Sequence, residues 1–130
     1  PAIADPGSSV VRAAHALGLA VVPLTGPVSL MLALAASGLN GQGFAFVGYV
    51  PQDPAERAKR LRELDALSHK SGQTQIVIET PYRNAALLQA LITSLQPATR
   101  LAVACVTRKP RSRSAAASST FDGRCSVTTP

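Results

Sequence analysis

The sequence predicts an α/β fold, because glycine- and proline-rich loops join strand-like runs to helix-like runs along most of its 130 residues. Residues 10–17 carry apolar side chains at helical spacing and stop at Gly18. Residues 20–24 form a short apolar run that is typical of a buried strand. Residues 28–37 are apolar on nearly every side, which predicts a buried helix that ends near Gly38. Loops that follow strands of an open α/β sheet are where such proteins hold small ligands.

The middle of the chain continues this alternation of strands and helices. The Asn-Gly-Gln-Gly run at residues 40–43 predicts a turn, and a domain boundary, before a strand at residues 44–50. Asp53 is expected to cap the N-terminus of the next helix, with Pro54 in the first helical position and Glu56 in the first turn.

Polar and charged side chains follow the apolar run TQIVIE at residues 74–79, which predicts a further strand, and a helix is predicted over residues 82–95. Glu79 and Arg83 are therefore expected at the carboxyl end of a strand, where side chains are positioned rather than buried. Two interpretations stay open: Glu79 lies near a cofactor or substrate, or it is a structural partner of Arg83. Tyr82, beside them, lies either in a cleft or over the end of the helix.

The positive charge is concentrated near the C-terminus. The net charge is +6, yet residues 1–106 hold eight Lys or Arg against six Asp or Glu, so the excess comes mainly from residues 107–130. That segment is rich in Ser, Ala and Arg and has no apolar periodicity, so we expect a disordered tail. A solvated tail is favoured over a phosphate-binding one.

The helix that follows Asp53 also carries a basic face. We expect this face to be solvated, with local ion pairs to neighbouring carboxylates, and a patch for substrate phosphates is the alternative. Its basic residues are Arg57, Lys59, Arg60, Arg62 and Lys70.

Several classes of function are disfavoured by the residues present. Cys105 and Cys125 have no CxxC neighbour, and neither His15 nor His69 has a carboxylate spaced to orient it as a base, so we expect no metal site. The longest apolar stretch, at residues 28–36, is about half of the roughly 20 residues that a membrane span needs. We therefore expect no membrane partner and a cytoplasmic protein.

Four segments in a fixed order carry a resemblance to a known family. They are PAIADPGSSVVRAA from residue 1, VVPLTGPVSLMLALAASGL from residue 21, FAFVGYVPQDPAERAKRL from residue 44 and TQIVIETPYRNAALLQAL from residue 74. Together they resemble the tetrapyrrole methylase superfamily, in the branch that contains the 16S rRNA cytidine 2′-O-ribose methyltransferase. The branch has P-G-P-S-A and Y-E-S-P-H-R where this chain has LTGPVS and IETPYR, which suggests a paralogous group whose substrate need not be ribosomal RNA.

The resemblance implies a partial two-domain fold. Residues 1–42 would form the C-terminal part of the first, cofactor-cleft domain, residues 43–106 an incomplete second αβ domain, and residues 107–130 the basic tail. The family's N-terminal strands would precede Pro1, and the loss of patterning after Val106 predicts a truncation or a frame-shifted reading. Because family members are usually dimers and this arrangement leaves the apolar helix uncovered, we expect a homodimer.

The resemblance also implies the cofactor, the substrate and the site residues. The cofactor would be S-adenosylmethionine, and the acceptor an RNA ribose in 16S rRNA or a tetrapyrrole-like small molecule. Glu79 and Arg83 would be the catalytic residues. The implied cofactor contacts are Pro1, Ala2, Ile3, Thr25, Gly26, Pro27 and Ser29, with Ile78 and Ala104 as weaker contacts from the second domain.

Methyl transfer agrees with a chain that lacks an evident metal site or nucleophile, because the donor already carries a good leaving group and the protein mainly orients the reactants. Two alternatives stay open. One is a catalytically inactive remnant, and the other is a non-catalytic module that binds RNA or a nucleotide.

Overall fold

The structure, a computed structural model, describes residues 3–4, 6–106 and 124–129. It combines helices with one sheet, which confirms the expected α/β class. In chain order the elements are α1 (Ser8–Ala16), α2 (Ser29–Ser37), β1 (Phe44–Gly48), α3 (Pro54–Ser71), β2 (Thr74–Glu79), a 3₁₀ turn (Pro81–Arg83), α4 (Asn84–Ser94), β3 (Ala102–Val106) and β4 (Arg124–Thr129).

The sheet is mixed, with the strand order β1-β2-β4-β3. β1 and β2 are parallel and are joined by α3, whereas β4 runs antiparallel to both of its neighbours. Parallel strands end at the same edge of a sheet. The loops that follow β1 and β2 therefore leave the sheet side by side.

Helices pack against both faces of the sheet, and β2 contributes to both cores. On one face, Val77 packs with residues of α3 and α4, including Leu61 and Leu87. On the other face, Ile76 packs with Leu30 and Leu34 of α2. A strand covered on both faces needs apolar residues in succession, which is why β2 reads as a continuous apolar run in the sequence.

The ends of α3 follow from local chemistry. The Asp53 carboxylate accepts hydrogen bonds from the backbone N–H groups of Ala55 and Glu56, at 3.0 and 2.9 Å, and Pro54 begins the helix, so the predicted cap is confirmed. Gly72 ends the helix in the left-handed conformation with φ 68°. A side chain with a Cβ is strained there, whereas glycine is not.

The predicted turn at residues 40–43 is present and is held by Asn40. Its Oδ1 accepts from the backbone N–H groups of Gln42 and Gly43, and its Nδ2 donates to the carbonyl oxygen of Gly72 at 2.7 Å. Thr74 Oγ1 donates to the carbonyl oxygen of Asn40 at 2.9 Å. The turn is thus tied to the end of α3 and the start of β2, while its role as a domain boundary stays a prediction.

The strand predicted at residues 20–24 is wrong. These residues adopt no regular structure, and Leu24 is 91% exposed. A strand needs a neighbour to pair its backbone N–H and C=O groups. The sheet in the described part of the chain contains β1 to β4 and offers these residues no such neighbour.

The helix predicted over residues 28–37 is present as α2 and ends at Gly38, which has φ 70°. Its burial differs from the prediction, because the sheet covers only one side of the helix. Leu30 and Leu34 are buried, whereas Met31 and Leu32 on the opposite side are exposed. We refer to Val28, Met31 and Leu32 as the outer face of α2.

Part of the expected tail forms a strand. Arg124–Thr129 is β4, which lies between β2 and β3, so the expectation of a disordered tail does not hold for these residues. The sequence signal is the Val-Thr-Thr run at residues 127–129, because β-branched residues favour strands. Residues 107–123 and Pro130 lie outside the described residues, and for them the expectation stays a prediction.

Among the described residues, no helix combines the length and the apolar character that a membrane crossing requires.

Asp65 connects α3 to the loop between α4 and β3. Its buried carboxylate accepts from the hydroxyl of Thr99 at 2.6 Å and from the backbone N–H of Gln96 at 3.1 Å. His69 Nε2 lies 2.9 Å from Thr99 Oγ1 and 3.5 Å from Asp65 Oδ1. Because the Thr99 hydroxyl donates to Asp65, it is positioned to accept a hydrogen bond from His69.

Replacing this carboxylate is expected to destabilise the fold. Asp65→Ala should lower the free energy of unfolding by about 2–3 kcal/mol, since it removes the acceptor of two hydrogen bonds inside the structure. Glu63→Ala, which removes the carboxylate of an exposed ion pair with Arg60, should change it by at most about 0.5 kcal/mol. Urea unfolding followed by circular dichroism measures both. Equal effects of the two substitutions would contradict the role given to Asp65.

Candidate functional site

Glu79 and Arg83 form a partly buried ion pair at the carboxyl end of β2. The Glu79 side chain is 1% exposed, and its Oε1 lies 2.7 Å from Arg83 Nη2 and 2.9 Å from Arg83 Nε. The same oxygen accepts from the backbone N–H of Thr80 at 2.7 Å and lies 3.3 Å from its hydroxyl. Four polar atoms therefore surround one carboxylate oxygen, which fixes the orientation of the pair.

The 3₁₀ turn at Pro81–Arg83 explains how the pair forms. Pro81 begins this tight turn, and α4 continues from Asn84, so the predicted helix over residues 82–95 is shorter and starts as a 3₁₀ turn. The turn brings Arg83 back over the end of β2. Tyr82 is 91% exposed, so it neither lies in a cleft nor covers the end of the helix.

The geometry favours one of the two interpretations of Glu79. An enclosed carboxylate has little direct access to a ligand, whereas the Arg83 side chain keeps 27% of its surface exposed. The structure thus supports Glu79 as the partner that orients Arg83. A role for Glu79 as a catalytic base stays a prediction.

The loop after β1 reaches the same edge of the sheet. The pairing of β1 with β2 shifts register between Phe46 and Gly48, and Gly48 has φ 83°, a conformation that favours glycine. This bulge ends β1 two residues earlier than predicted and directs the chain into the loop before α3. The loop leads to Asp53, the cap of α3.

The residues implied as cofactor contacts separate into three groups. Pro1 and Ala2 lie outside the described residues, and Ile3 is exposed. Ile78 and Ala104 both pair with Ser126 of β4, so they lie in one row across the sheet. Ile78 packs against the cluster formed with α2, which places this row on the α2 side.

The third group is the loop that leads into α2. Thr25, Gly26 and Pro27 are exposed, and Ser29 is the exposed first residue of α2. A Cβ added at Gly26 would meet no atom within 4 Å, so the backbone is open to an approaching molecule. Helix α2 begins without a side-chain cap. Small side chains and open backbone fit the part of an S-adenosylmethionine site that this loop would supply.

The other candidate residues divide between solvent and interior. Lys59, Arg60, Arg62 and Lys70 are exposed, as expected for a solvated basic face. Arg57 is buried, which corrects its assignment to that face. Its side chain turns back toward the loop before α3, where Nη1 donates to the carbonyl oxygen of Gln52 at 3.4 Å. Among the described residues, no three His, Cys, Asp or Glu side chains are grouped to hold a metal ion.

Comparison with known proteins identifies relatives of this chain, although no protein-family model matches it. It is 42% identical to a protein of Xylella fastidiosa strain Temecula1. The 93 aligned residues make up 72% of this chain and 33% of that protein. It is 41% identical over 91 residues to a protein of Pseudomonas aeruginosa, and the aligned residues make up 70% of this chain and 30% of that protein. It is 36% identical over 104 residues to a protein of Neisseria meningitidis serogroup B, and the aligned residues make up 80% of this chain and 34% of that protein.

All three relatives are named ribosomal RNA small subunit methyltransferase I. The chain spans about a third of their length. The similarity lies within the branch indicated by the four sequence motifs, and the resemblance to that branch is thereby confirmed. The chain is therefore homologous to part of ribosomal RNA small subunit methyltransferase I, the similarity that carries its resemblance to the tetrapyrrole methylase superfamily.

Proposed function

We propose that this chain is part of an S-adenosylmethionine-dependent methyltransferase that acts on a ribose of small-subunit ribosomal RNA. The observation that carries the proposal is its 36–42% identity to proteins named as ribosomal RNA methyltransferases. A tetrapyrrole-like substrate, the alternative raised by the sequence, has no support among these names. An acceptor in ribosomal RNA also favours action in the cytoplasm.

The chain's own contribution to catalysis would be binding and orientation. S-adenosylmethionine supplies an activated methyl group, so a protein that aligns donor and acceptor gains rate through proximity. We propose that the open loop before α2 contacts this cofactor from one side and that the row formed by Ile78 and Ala104 contacts it from the sheet. The full set of proposed contacts is Pro1, Ala2, Ile3, Thr25, Gly26, Pro27, Ser29, Ile78 and Ala104.

Arg83 is the proposed contact to the RNA acceptor, and Glu79 positions it. The ion pair holds the guanidinium through Nε and Nη2, and the exposed part of Arg83 faces solvent. A guanidinium has five N–H donors. Donors that are not used by Glu79 can orient the oxygen atoms of a ribose or its phosphate.

Filling the loop before α2 is expected to weaken cofactor binding. Ser29→Trp should raise the Kd for S-adenosylmethionine at least about tenfold, because the indole occupies the space next to the open backbone. Ala36→Trp is the matched control, since Ala36 is also exposed on α2 but lies near its other end. Isothermal titration calorimetry on the full chain measures both. Equal affinities would remove the loop from the site, and no binding by the unmodified chain would favour a non-catalytic protein.

Glu79 and Arg83 are expected to act as a unit. Glu79→Gln and Arg83→Gln should each lower turnover about 100-fold, the loss typical of a misplaced contact to a reacting group. The double variant should lose little more, because either substitution already breaks the pair. Transfer of a radiolabelled methyl group to 16S rRNA measures turnover, and calorimetry checks that cofactor affinity stays within about twofold of the unmodified chain.

The alternative role of Glu79 makes a different prediction for the same experiment. If Glu79 is the catalytic base, Glu79→Gln should lower turnover about 100-fold even when Arg83→Gln is already present, because the base is lost whether or not the pair is intact. Losses that add in the double variant would contradict action as a unit. Glu63→Gln, on the exposed surface of α3, is the control for a change of charge alone.

A homodimer is the proposed assembly, with the outer face of α2 at its interface. Val28, Met31 and Leu32 leave an apolar surface exposed on α2, and such surfaces favour association. Leu32→Glu should weaken self-association at least about tenfold, because it places a charge in that surface. Ile92→Glu is the control, since Ile92 is 66% exposed on α4 and Leu32 is 60% exposed on α2. Sedimentation velocity of a strictly monomeric unmodified chain would exclude this interface.

A further inference from the structure

Arg57 is buried in the first turn of α3, with only 8% of its surface exposed. Its Nη1 donates a long hydrogen bond, 3.4 Å, to the carbonyl oxygen of Gln52. Its Nε is enclosed and has no hydrogen-bond partner in the described part of the chain. No carboxylate among the described residues forms an ion pair with it.

An arrangement of this kind is unfavourable for the isolated chain. A guanidinium removed from water loses its hydration, and burial is tolerated where a carboxylate or several hydrogen bonds replace that hydration. The two carboxylates of the first turn do not do so. Asp53 accepts from the backbone N–H groups of Ala55 and Glu56, and Glu56 forms no ion pair with Arg57. The counter-charge is therefore not supplied by this turn.

The position of Arg57 relates it to the candidate site. Because β1 and β2 are parallel neighbours, α3 begins at the edge of the sheet where Arg83 follows β2. The first turn of a helix also favours an anion through the helix dipole. Two guanidinium groups thus stand at one edge of the sheet. Arg83 is neutralised by Glu79, and Arg57 has no such partner among the described residues.

We propose that Arg57 binds a phosphate group of the RNA backbone, an inference that rests on the proposed function. The outer guanidinium nitrogens, unlike the enclosed Nε, can donate hydrogen bonds to phosphate oxygens, which supply the missing charge. Contacts to phosphate fix the position of a nucleic-acid strand without reading its sequence. Arg57 is therefore a binding residue that positions the RNA beside Arg83.

The principal test measures RNA binding in the absence of S-adenosylmethionine, so it does not depend on methyl transfer. The probe is a fluorescein-labelled single-stranded RNA of about 16 nucleotides, bound to the full chain and followed by fluorescence anisotropy. Arg57→Gln is expected to weaken binding about tenfold and to reduce the slope of log K against log salt by about 0.7, the loss of one phosphate contact. Arg62→Gln changes the same charge on the exposed part of α3 and is expected to have less than about a twofold effect.

Each other result of this test would overturn the proposal. If the unmodified chain does not bind the RNA, or if Arg57→Gln binds as the unmodified chain does, Arg57 is not an RNA contact. If Arg57→Gln and Arg62→Gln weaken binding equally, the effect belongs to net charge. If the RNA binding results are as expected but the unmodified chain transfers no methyl group to 16S rRNA, the proposed function is contradicted and this contact stays in place.

A stability measurement separates phosphate binding from a packing role. The stem of a buried arginine can also cover apolar neighbours. Arg57→Met keeps such a stem, so this variant should be at least as stable as the unmodified chain in phosphate-free buffer, because it removes an unpaired charge. Inorganic phosphate should raise the Tm of the unmodified chain more than that of Arg57→Met, since only the former binds it at this position. A lower stability of Arg57→Met, or an equal response to phosphate, would overturn the proposal. A response to inorganic phosphate without an effect of Arg57→Gln on RNA would assign the position to free phosphate instead.

Discussion

The enclosure of β2 on both faces and both edges is the constraint on which the structure depends. β1 and β4 pair with its two edges, α2 covers one face, and α3 with α4 covers the other. The buried polar side chains of β2 have hydrogen-bond partners nearby. Thr74 Oγ1 donates to the carbonyl oxygen of Asn40, and Gln75 Nε2 donates to Gln73 Oε1 at 2.9 Å. Glu79 ends the strand and meets Arg83 there. The candidate site is therefore attached to a strand that is enclosed on both faces and paired on both edges.

Elements whose ends are set by local chemistry were predictable from the sequence. Asp53 caps α3 with its own carboxylate, and Gly38 and Gly72 end helices in a conformation that glycine adopts without strain. The run TQIVIE predicted β2 with its observed bounds. Each of these signals acts within a few residues, so no knowledge of distant partners is needed.

Elements that depend on distant partners were not predictable in the same way. Residues 20–24 have the composition of a strand but no strand beside them among the described residues, whereas β4 pairs with β2, which is far from it in sequence. The site divides along the same line. The four-residue spacing of Glu79 and Arg83 indicated a pair. The burial of Arg57 could not be predicted, because the other basic residues of the same helix are exposed.

The two arginines at this edge of the sheet, Arg57 and Arg83, differ in whether a carboxylate pairs with them. Arg83 has a carboxylate that holds it in one orientation, so its geometry is set before any ligand arrives. Arg57 lacks such a partner in the described chain, and the proposed phosphate contact would supply its counter-charge. In the proposed site, Arg83 would set the orientation of a bound RNA, and Arg57, which has no counter-charge in the described chain, would contribute mainly to the binding affinity.

The position of β4 has a consequence for the dynamics of the sheet. Within the described residues, β3 contacts the sheet through β4 alone, and β4 joins β2 by a single antiparallel ladder. Opening that ladder, together with the contacts of β3 and β4 to α2, would release the two strands as a pair, while β1, β2, α3 and α4 would remain packed. The row that contains Ile78 and Ala104 crosses this ladder, so the geometry of that surface is coupled to a local opening equilibrium rather than to global unfolding.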